Sequence, residues 1–364
     1  MEFYLLIWLG LVYCSFFDIT NMRVNKKYVF IFYFFCMFIL LGGIRYQVGT
    51  DWEQYYNYFV VNNRYIDFFN EIDYTYEAGY RLLNYIVKNV SDSFNVFLLI
   101  FTSIICFLKY KSILSYTKLP LIVLLLNYAY FLGDIFNIRQ SLGVAITIYS
   151  VRFVLEKNLL KFILTIIIAT LFHRTAIVFL LAYWLYYKEF SNRTLFLLLT
   201  ISCFIGFSGV IGSLITNLTG IDNIYVDKLL TYGEDSSISY SDVDNDQKMF
   251  FSLGKKIVLL IPFWFFRKKM KEKYECYNGF FNYFFMANII AVLFSISIPE
   301  VSFRLVVFYN FFEIFIIASF VNLYNKLYLK IFIWLLIVLY SLIYFYYNIN
   351  KFIDAFVPYR SILG

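Results

Sequence analysis

Runs of apolar residues, each about as long as one hydrocarbon crossing or a little shorter, recur from end to end of the chain. They occupy 3–17, 28–44, 93–108, 119–133, 139–155, 159–172, 174–187, 194–216, 250–266, 279–298, 304–321 and 327–347. Such runs predict helices, which satisfy their own backbone hydrogen bonds where no water is available. The expected fold is all-α: a polytopic integral membrane protein with about 12 transmembrane segments (10–13), forming a single membrane domain over 1–364. Residues 1–17 lack a basic leader region and a small-residue cleavage site, so they read as a retained first span.

Residues 78–90 predict a helix of another kind. Tyr80, Leu82, Leu83, Tyr85, Ile86 and Val90 give it an apolar face, which Glu77, Arg81 and Lys88 interrupt. It is too polar to cross a bilayer and suits the surface of the outer leaflet. The 159–187 region divides at His173, Arg174 and Thr175. Each half is short for a span, so a broken or re-entrant hairpin is expected there. No internal repeat of the kind common in transporters is visible.

Composition agrees with a membrane protein: 62% of residues are hydrophobic and only 15% charged, against roughly a quarter charged in soluble domains. A net charge of +7 would suggest nucleic acid in a soluble protein. Here the basic residues sit in short linkers, as the positive-inside rule places them, and no nucleic-acid partner is implied. Arg23, Lys26 and Lys27 mark 21–27 as cytoplasmic. Lys109, Lys111 and Lys118 do so for 109–118, and Arg267, Lys268, Lys269, Lys271 and Lys273 for 267–273. By parity 45–92 is a first outer loop carrying the interfacial helix, 217–249 is an acidic outer loop, and both termini lie outside. The acidic loop holds Asp222, Asp227, Glu234, Asp235, Asp242, Asp244 and Asp246. Its last three aspartates do not make a calcium loop, because Gln247 and Leu253 stand where glycine and glutamate are needed. The 5 cysteines form no CxxC pair and suggest neither disulfide nor metal framework. The 45 phenylalanines and 35 tyrosines fit either an AT-rich coding sequence or rings selected to stack on sugars.

Candidate chemistry gathers at the ends of the spans. Directly after the 28–44 run come Arg45, Gly49, Asp51, Trp52, Tyr55 and Tyr56, a polar and aromatic stretch at a membrane exit. Asp51 reads either as a reactive carboxylate beside stacking rings or as the cap of a short helix. Arg139 and Gln140 open the fifth run, with Asn137 beside them. The arginine is either snorkelling or a fork aimed at phosphate. His173 is the single histidine, standing at the proposed break next to Arg174. It is either a satisfied structural group or a catalyst. Glu77 and Arg81, and again Glu300 and Arg304, are spaced to pair along a helix or to face a ligand. Glu313 lies inside a run and needs a partner, while Lys255 and Lys256 open another. No nucleotide-binding loop, nucleophile elbow or dinucleotide fingerprint is present.

The ordered set Arg45-x3-Gly49-x-Asp51-x3-Tyr55-x3-Phe59, Glu77-x2-Tyr80, Arg139-Gln140, Ala169-x3-His173-x2-Ala176 and Pro358-Tyr359 resembles the EpsG family of bacterial polysaccharide polymerases, related in role to Wzy O-antigen polymerases. The likeness spans nearly the whole chain. It departs after Arg139-Gln140, where Ser141-Leu-Gly143 stands in place of an expected alanine, which bears on helix packing alone.

The resemblance implies a metal-independent inverting glycosyltransferase with no cofactor, in the bacterial inner membrane with its site facing outward. Its substrates would be oligosaccharide repeats on undecaprenyl diphosphate, joined into O-antigen, capsule or exopolysaccharide. Besides membrane lipid, a chain-length regulator and a flippase are the expected partners. Arg139 and Arg304 would hold diphosphate, with Arg45 or Arg174 assisting. Asp51, His173 and Glu77 compete as the base, Asp51 leading. Gly49, Tyr55, Tyr80, Arg81, Gln140 and Glu300 would line the substrate. Two other functions use similar residues: a ligase for finished polysaccharide, and a non-enzymatic flippase or transporter of lipid-linked sugars.

Overall fold

The structure is a computed structural model that describes residues 1–20, 24–61, 76–132, 136, 138–216 and 245–363. Arg23, Asn137 and most of the acidic 217–249 loop lie outside the described residues. What is described is helical, with one isolated antiparallel bridge between Arg45 and Ser361. Five helices are long and apolar enough to cross a membrane: Lys26–Gly43, Phe94–Tyr116, Ile138–Leu155, Tyr277–Phe294 and Leu327–Lys351. A bent pair, Pro299–Asn310 and Glu313–Asn322, makes a sixth if its halves are one span broken at 45°. The all-helical membrane architecture is therefore present, with five to six candidate spans among the described residues. The chain divides into two compact units, Met1–Leu180 with Ile317–Gly364, and Leu181–Ile316.

The first unit is built around two helices that are buried along most of their length. Pro120–Phe131 is one of them. Proline at its start fits a position whose N–H has no partner in any case. Asp18 completes that end by accepting from the Leu121 and Ile122 amides at 2.8 and 2.9 Å. Lys27 approaches the same carboxylate at 2.8 Å, so one lysine of the first basic linker has an internal partner. The other is Ile138–Leu155. Its Ser141, Gly143, Ala145, Thr147 and Ser150 are small enough to admit close neighbours, and it packs on Phe94–Tyr116 and Leu159–Thr170.

Some boundaries differ from the sequence expectation. The 109–118 linker is helical as far as Tyr116, and Lys109 is buried. Nothing in this stretch breaks a helix, and Ile113 and Tyr116 continue its apolar face, so helix outruns the hydropathy window. The 304–321 run is two helices rather than one, divided near Phe311 and Phe312. The 159–187 run does break. Leu159–Thr170 ends in a turn at 171–173, where His173 N donates to Ala169 O at 3.0 Å, and a 3₁₀ stretch Arg174–Leu181 follows.

The second unit centres on Tyr277–Phe294, buried nearly all round. Gly206 is required there, since a Cβ would stand 2.2 Å from Val292 O. Lys255 meets Glu313 at 3.3 Å, and Lys256 donates to Asn310 Oδ1 at 2.8 Å. Glu313, fully buried, thus has the partner that its place inside an apolar run demands.

Candidate functional site

In the first unit, residues from four distant stretches converge. Glu77 Oε2 accepts from Arg139 Nη1 at 2.8 Å, and Glu77 Oε1 lies 3.8 Å from His173 Nδ1. Arg139 Nε donates to the Tyr55 hydroxyl at 3.3 Å, and that hydroxyl donates to Asp51 Oδ2 at 3.4 Å. A continuous polar chain therefore runs from Asp51 through Tyr55, Arg139 and Glu77 to His173. Burial pushes the Tyr55 phenol up to about 12. It stays protonated at neutral pH, and so can accept from arginine while donating to the carboxylate.

Local structure sets each member in place. Gly49 has φ +111°, a conformation open to glycine, and the Trp52–Val61 helix begins three residues beyond it. Asp51 directly precedes that helix, and Tyr55 lies one turn on with its hydroxyl turned back. Ala78–Val90 buries Gly79, Tyr80, Asn84 and Val87 on one side. Gly79 N donates to Leu171 O at 2.7 Å, and a Cβ at Gly79 would meet that oxygen at 2.7 Å. This close docking brings Glu77 beside the break that carries His173. Arg139 occupies the first turn of Ile138–Leu155, among rings. Its Cζ lies 4.8 Å from the Tyr76 centroid, 5.5 Å from Tyr55 and 5.8 Å from Tyr80. Cation–π contact of this kind adds to a partly desolvated guanidinium about 0.5–2 kcal/mol per good ring.

The other expected residues are placed differently. Gln140 follows Arg139, and its amide nitrogen is buried with no hydrogen-bond partner among the described residues. Arg81 is half-buried one turn after Glu77, and Arg174 opens the 3₁₀ stretch. Arg45 is placed differently from the span-end residues above: its guanidinium is completely buried, and Nη1 donates to Phe136 O at 2.6 Å and Val48 O at 3.2 Å, while Nε and Nη2 have no hydrogen-bond partner among the described residues. Desolvation lowers it to about 10, which still leaves it charged at neutral pH. Glu300 and Arg304 belong to the second unit and pair with each other at 2.9 Å along Pro299–Asn310.

Sequence reasoning missed Tyr76, Gly79 and Phe136. Tyrosines flanking Glu77 were the available signal for the first. A glycine inside an amphipathic helix, three residues before two further apolar positions, was the signal for the second. No curated protein and no solved structure matches the chain. The family model described as EpsG family matches residues 27–361, nearly the whole length.

The chain belongs to the EpsG family.

EpsG-like proteins are Wzy-type polysaccharide polymerases and bacterial membrane proteins. The matched region includes every member of the Asp51–His173 chain.

Proposed function

We propose that this EpsG-family protein polymerises oligosaccharide repeats carried on undecaprenyl diphosphate, at the outer face of the bacterial inner membrane. The observation that carries the reading is the convergence of Asp51, Tyr55, Glu77, Arg139 and His173 into one polar chain walled by tyrosines. About 12 spans, with 45–92 and 217–249 outside, are the topology that would put this group at the outer surface.

The reaction is a single displacement. An acceptor hydroxyl attacks the anomeric carbon of the growing glycan, a new C–O bond forms, and the bond to the lipid diphosphate breaks. The anomeric configuration inverts. The hydroxyl proton passes to a carboxylate, and the electron pair of the broken bond leaves with the diphosphate. Asp51 is the best-placed base, because the hydrogen bond its carboxylate accepts among the described residues is the long one from Tyr55. Glu77 is less free, having one oxygen on Arg139 and the other toward His173. Arg139 would meet the diphosphate. Its planar fork binds phosphate oxygens and keeps its charge through the reaction. Tyr76, half-buried and backed by the buried Tyr80, is the ring placed to meet a sugar, and the Gln140 amide, without a hydrogen-bond partner among the described residues, offers a donor. Arg304, on the second unit, is a separate candidate for a phosphate contact.

The test is purified protein in liposomes, supplied with lipid-diphosphate-linked repeats and no ion gradient, with products sized on a gel. Wild-type protein should give a ladder, and Asp51→Asn and Arg139→Ala single repeats. A ladder that persists in both variants would sink the assignment of the site. In cells, deletion should leave single-repeat surface glycan. Long chains retained on the carrier lipid would show a ligase, and elongation-free translocation in liposomes would show a transporter.

A further inference from the structure

The loop leading to Asp51 is held by the far end of the chain. Ile362 N donates to Ile44 O and Tyr46 N to Arg360 O, both at 2.9 Å, bracketing the Arg45–Ser361 bridge. Gly49 N donates to Ala355 O at 2.9 Å, and Tyr359 Oη to Leu41 O at 2.9 Å. Asn95 Nδ2 adds bonds to Gly43 O at 3.0 Å and Arg45 O at 3.2 Å. The loop has no strand or helix of its own between Gly43 and Trp52. Its backbone polar groups are satisfied from outside, chiefly by the tail.

Arg45 extends this arrangement to a second segment. One nitrogen, Nη1, bridges Val48 O, three residues on, and Phe136 O, 91 residues on. Its Cζ lies 5.3 Å from the Phe136 ring centroid, and that ring packs on Phe356 of the tail at 5.2 Å. The fit is tight. A Cβ on Gly49 would stand 2.8 Å from Arg45 Nη1 and 3.2 Å from Phe136 Cβ. Gly49 lies two residues before Asp51, and Phe136 three before Arg139. One buried guanidinium thus ties together the two backbone segments that deliver Asp51 and Arg139. Burying a charge is expensive, and an apolar side chain of equal bulk would fill the space without joining the two carbonyls.

We propose that Arg45 and the tail residues Ala355–Ile362 form a clasp that fixes Asp51 relative to Arg139, making Arg45 a positioning residue of the polymerase and not a substrate contact. The inference rests on the reading of Asp51 and Arg139 as the reacting site. Errors of about 1 Å in such a pair cost up to about a hundredfold in rate, so loosening the clasp acts on turnover while leaving affinity for the lipid-linked repeats in place.

The test uses the full chain in liposomes. Ile362→Pro removes one tail N–H, and the Ile362 side chain is 51% exposed, so no core is disturbed. Tyr359→Phe removes the bond to Leu41 O. Amide exchange and extension kinetics are measured on both, on their double variant, and on Arg45→Lys and Arg45→Met. The expected result is faster exchange at Tyr46 and Gly49 and turnover down about tenfold in the double variant, with KM within about twofold. Arg45→Lys, which can still donate to a carbonyl, should keep more turnover than Arg45→Met. Three results would overturn the clasp: unchanged exchange in the tail variants, faster exchange with wild-type turnover, or a KM rise that accounts for the whole loss. Asp51→Asn and Arg139→Ala run beside them. If those two extend chains normally, the site reading fails and takes the clasp with it. If they are dead while the tail variants extend at the wild-type rate, the clasp alone fails.

Discussion

Two arginine–glutamate pairs differ in how the structure makes them. Arg139 and Glu77 meet across 62 positions at 2.8 Å, with side chains 23% and 11% exposed and rings over the guanidinium. Arg304 and Glu300 meet across one helical turn at 2.9 Å, with side chains 33% and 49% exposed. The first pair needs two separately folded segments to be brought together, and Gly79 docking on Leu171 is part of how that is done. The second forms wherever the helix forms. A long-range, desolvated pair holds a charge ready in a set place, whereas a local exposed pair stabilises by about 0.3–0.5 kcal/mol and is readily exchanged for another partner. The difference separates a built site from a surface charge that a ligand can recruit.

The largest effect should follow removal of Arg139. Arg139→Ala should lower chain extension at least about a hundredfold, the scale on which a single preorganised donor to developing charge is lost. Protein abundance in the membrane should be unchanged. Arg139→Lys should remain poor, because a point charge replaces the planar fork. The measurement is repeat addition in liposomes, normalised to folded protein. An Arg139→Lys enzyme at wild-type rate would show that charge alone suffices and that the fork geometry is idle.

Glu77 comes next. Glu77→Gln leaves Arg139 without its carboxylate and should cost about tenfold to a hundredfold in turnover. The double variant Glu77→Gln, Arg139→Ala should be no worse than Arg139→Ala alone, since the glutamate acts through the arginine. Additive losses would place Glu77 in direct contact with the substrate. His173→Gln is informative in the same assay. It retains hydrogen bonding but cannot become a cation, so a loss there points to a charged His173 facing Glu77.

Tyr55→Phe should have a smaller effect. It removes the hydroxyl that joins Arg139 Nε to Asp51 and keeps the ring that lies 5.6 Å from Tyr80. One such hydrogen bond contributes about 1 kcal/mol, or roughly fivefold. Tyr55→Ala should be clearly worse, because ring and hydroxyl both go. Equal losses in the two variants would make the hydroxyl the whole of the contribution of Tyr55 and leave the stacking surface without a role.

Much of this was legible in the sequence, and the illegible parts have physical causes. Helical spans follow from apolar runs, and the break before Arg174 follows from polar residues inside one of them. Arg139, Glu77, Asp51, Tyr55 and His173 stand out because chemistry at the ends of apolar runs is conspicuous against hydrocarbon. Their mutual pairing was not legible. Glu77 has Arg81 one turn away, and only the approach of the Ala78–Val90 helix to Leu171 shows that Arg139 is reached as well. The acceptors of Arg45 were hidden for a related reason. A charged residue at a membrane exit suggests a ligand, but its acceptors are backbone carbonyls, which every residue carries and no sequence pattern marks. The tail contacts are hidden in the same way, being mostly main-chain bonds between residues about 300 positions apart. Lys109 shows the converse: its charge suggested a loop, while the absence of any helix breaker through Tyr116 was the better guide.

The smallest effects are expected at Glu300 and Arg304, and they sharpen the comparison most. If Arg304 merely decorates a helix, Glu300→Gln and Arg304→Ala should both leave chain extension within about twofold of wild type, the value of an exposed pair. If a lipid-linked phosphate recruits Arg304, the two variants must diverge. Glu300→Gln removes the charged helix partner of Arg304 and should leave KM for the lipid-linked repeat unchanged or lower it. Arg304→Ala should raise KM by about threefold to tenfold with turnover unchanged, as loss of one exposed phosphate contact would. Raising the salt concentration should shrink that KM difference, because an exposed contact is screened, and should affect the loss in Arg139→Ala far less. A salt-independent, turnover-based defect at Arg304 would instead make it, like Arg139, a built part of the machinery, and the division between the two pairs would not stand.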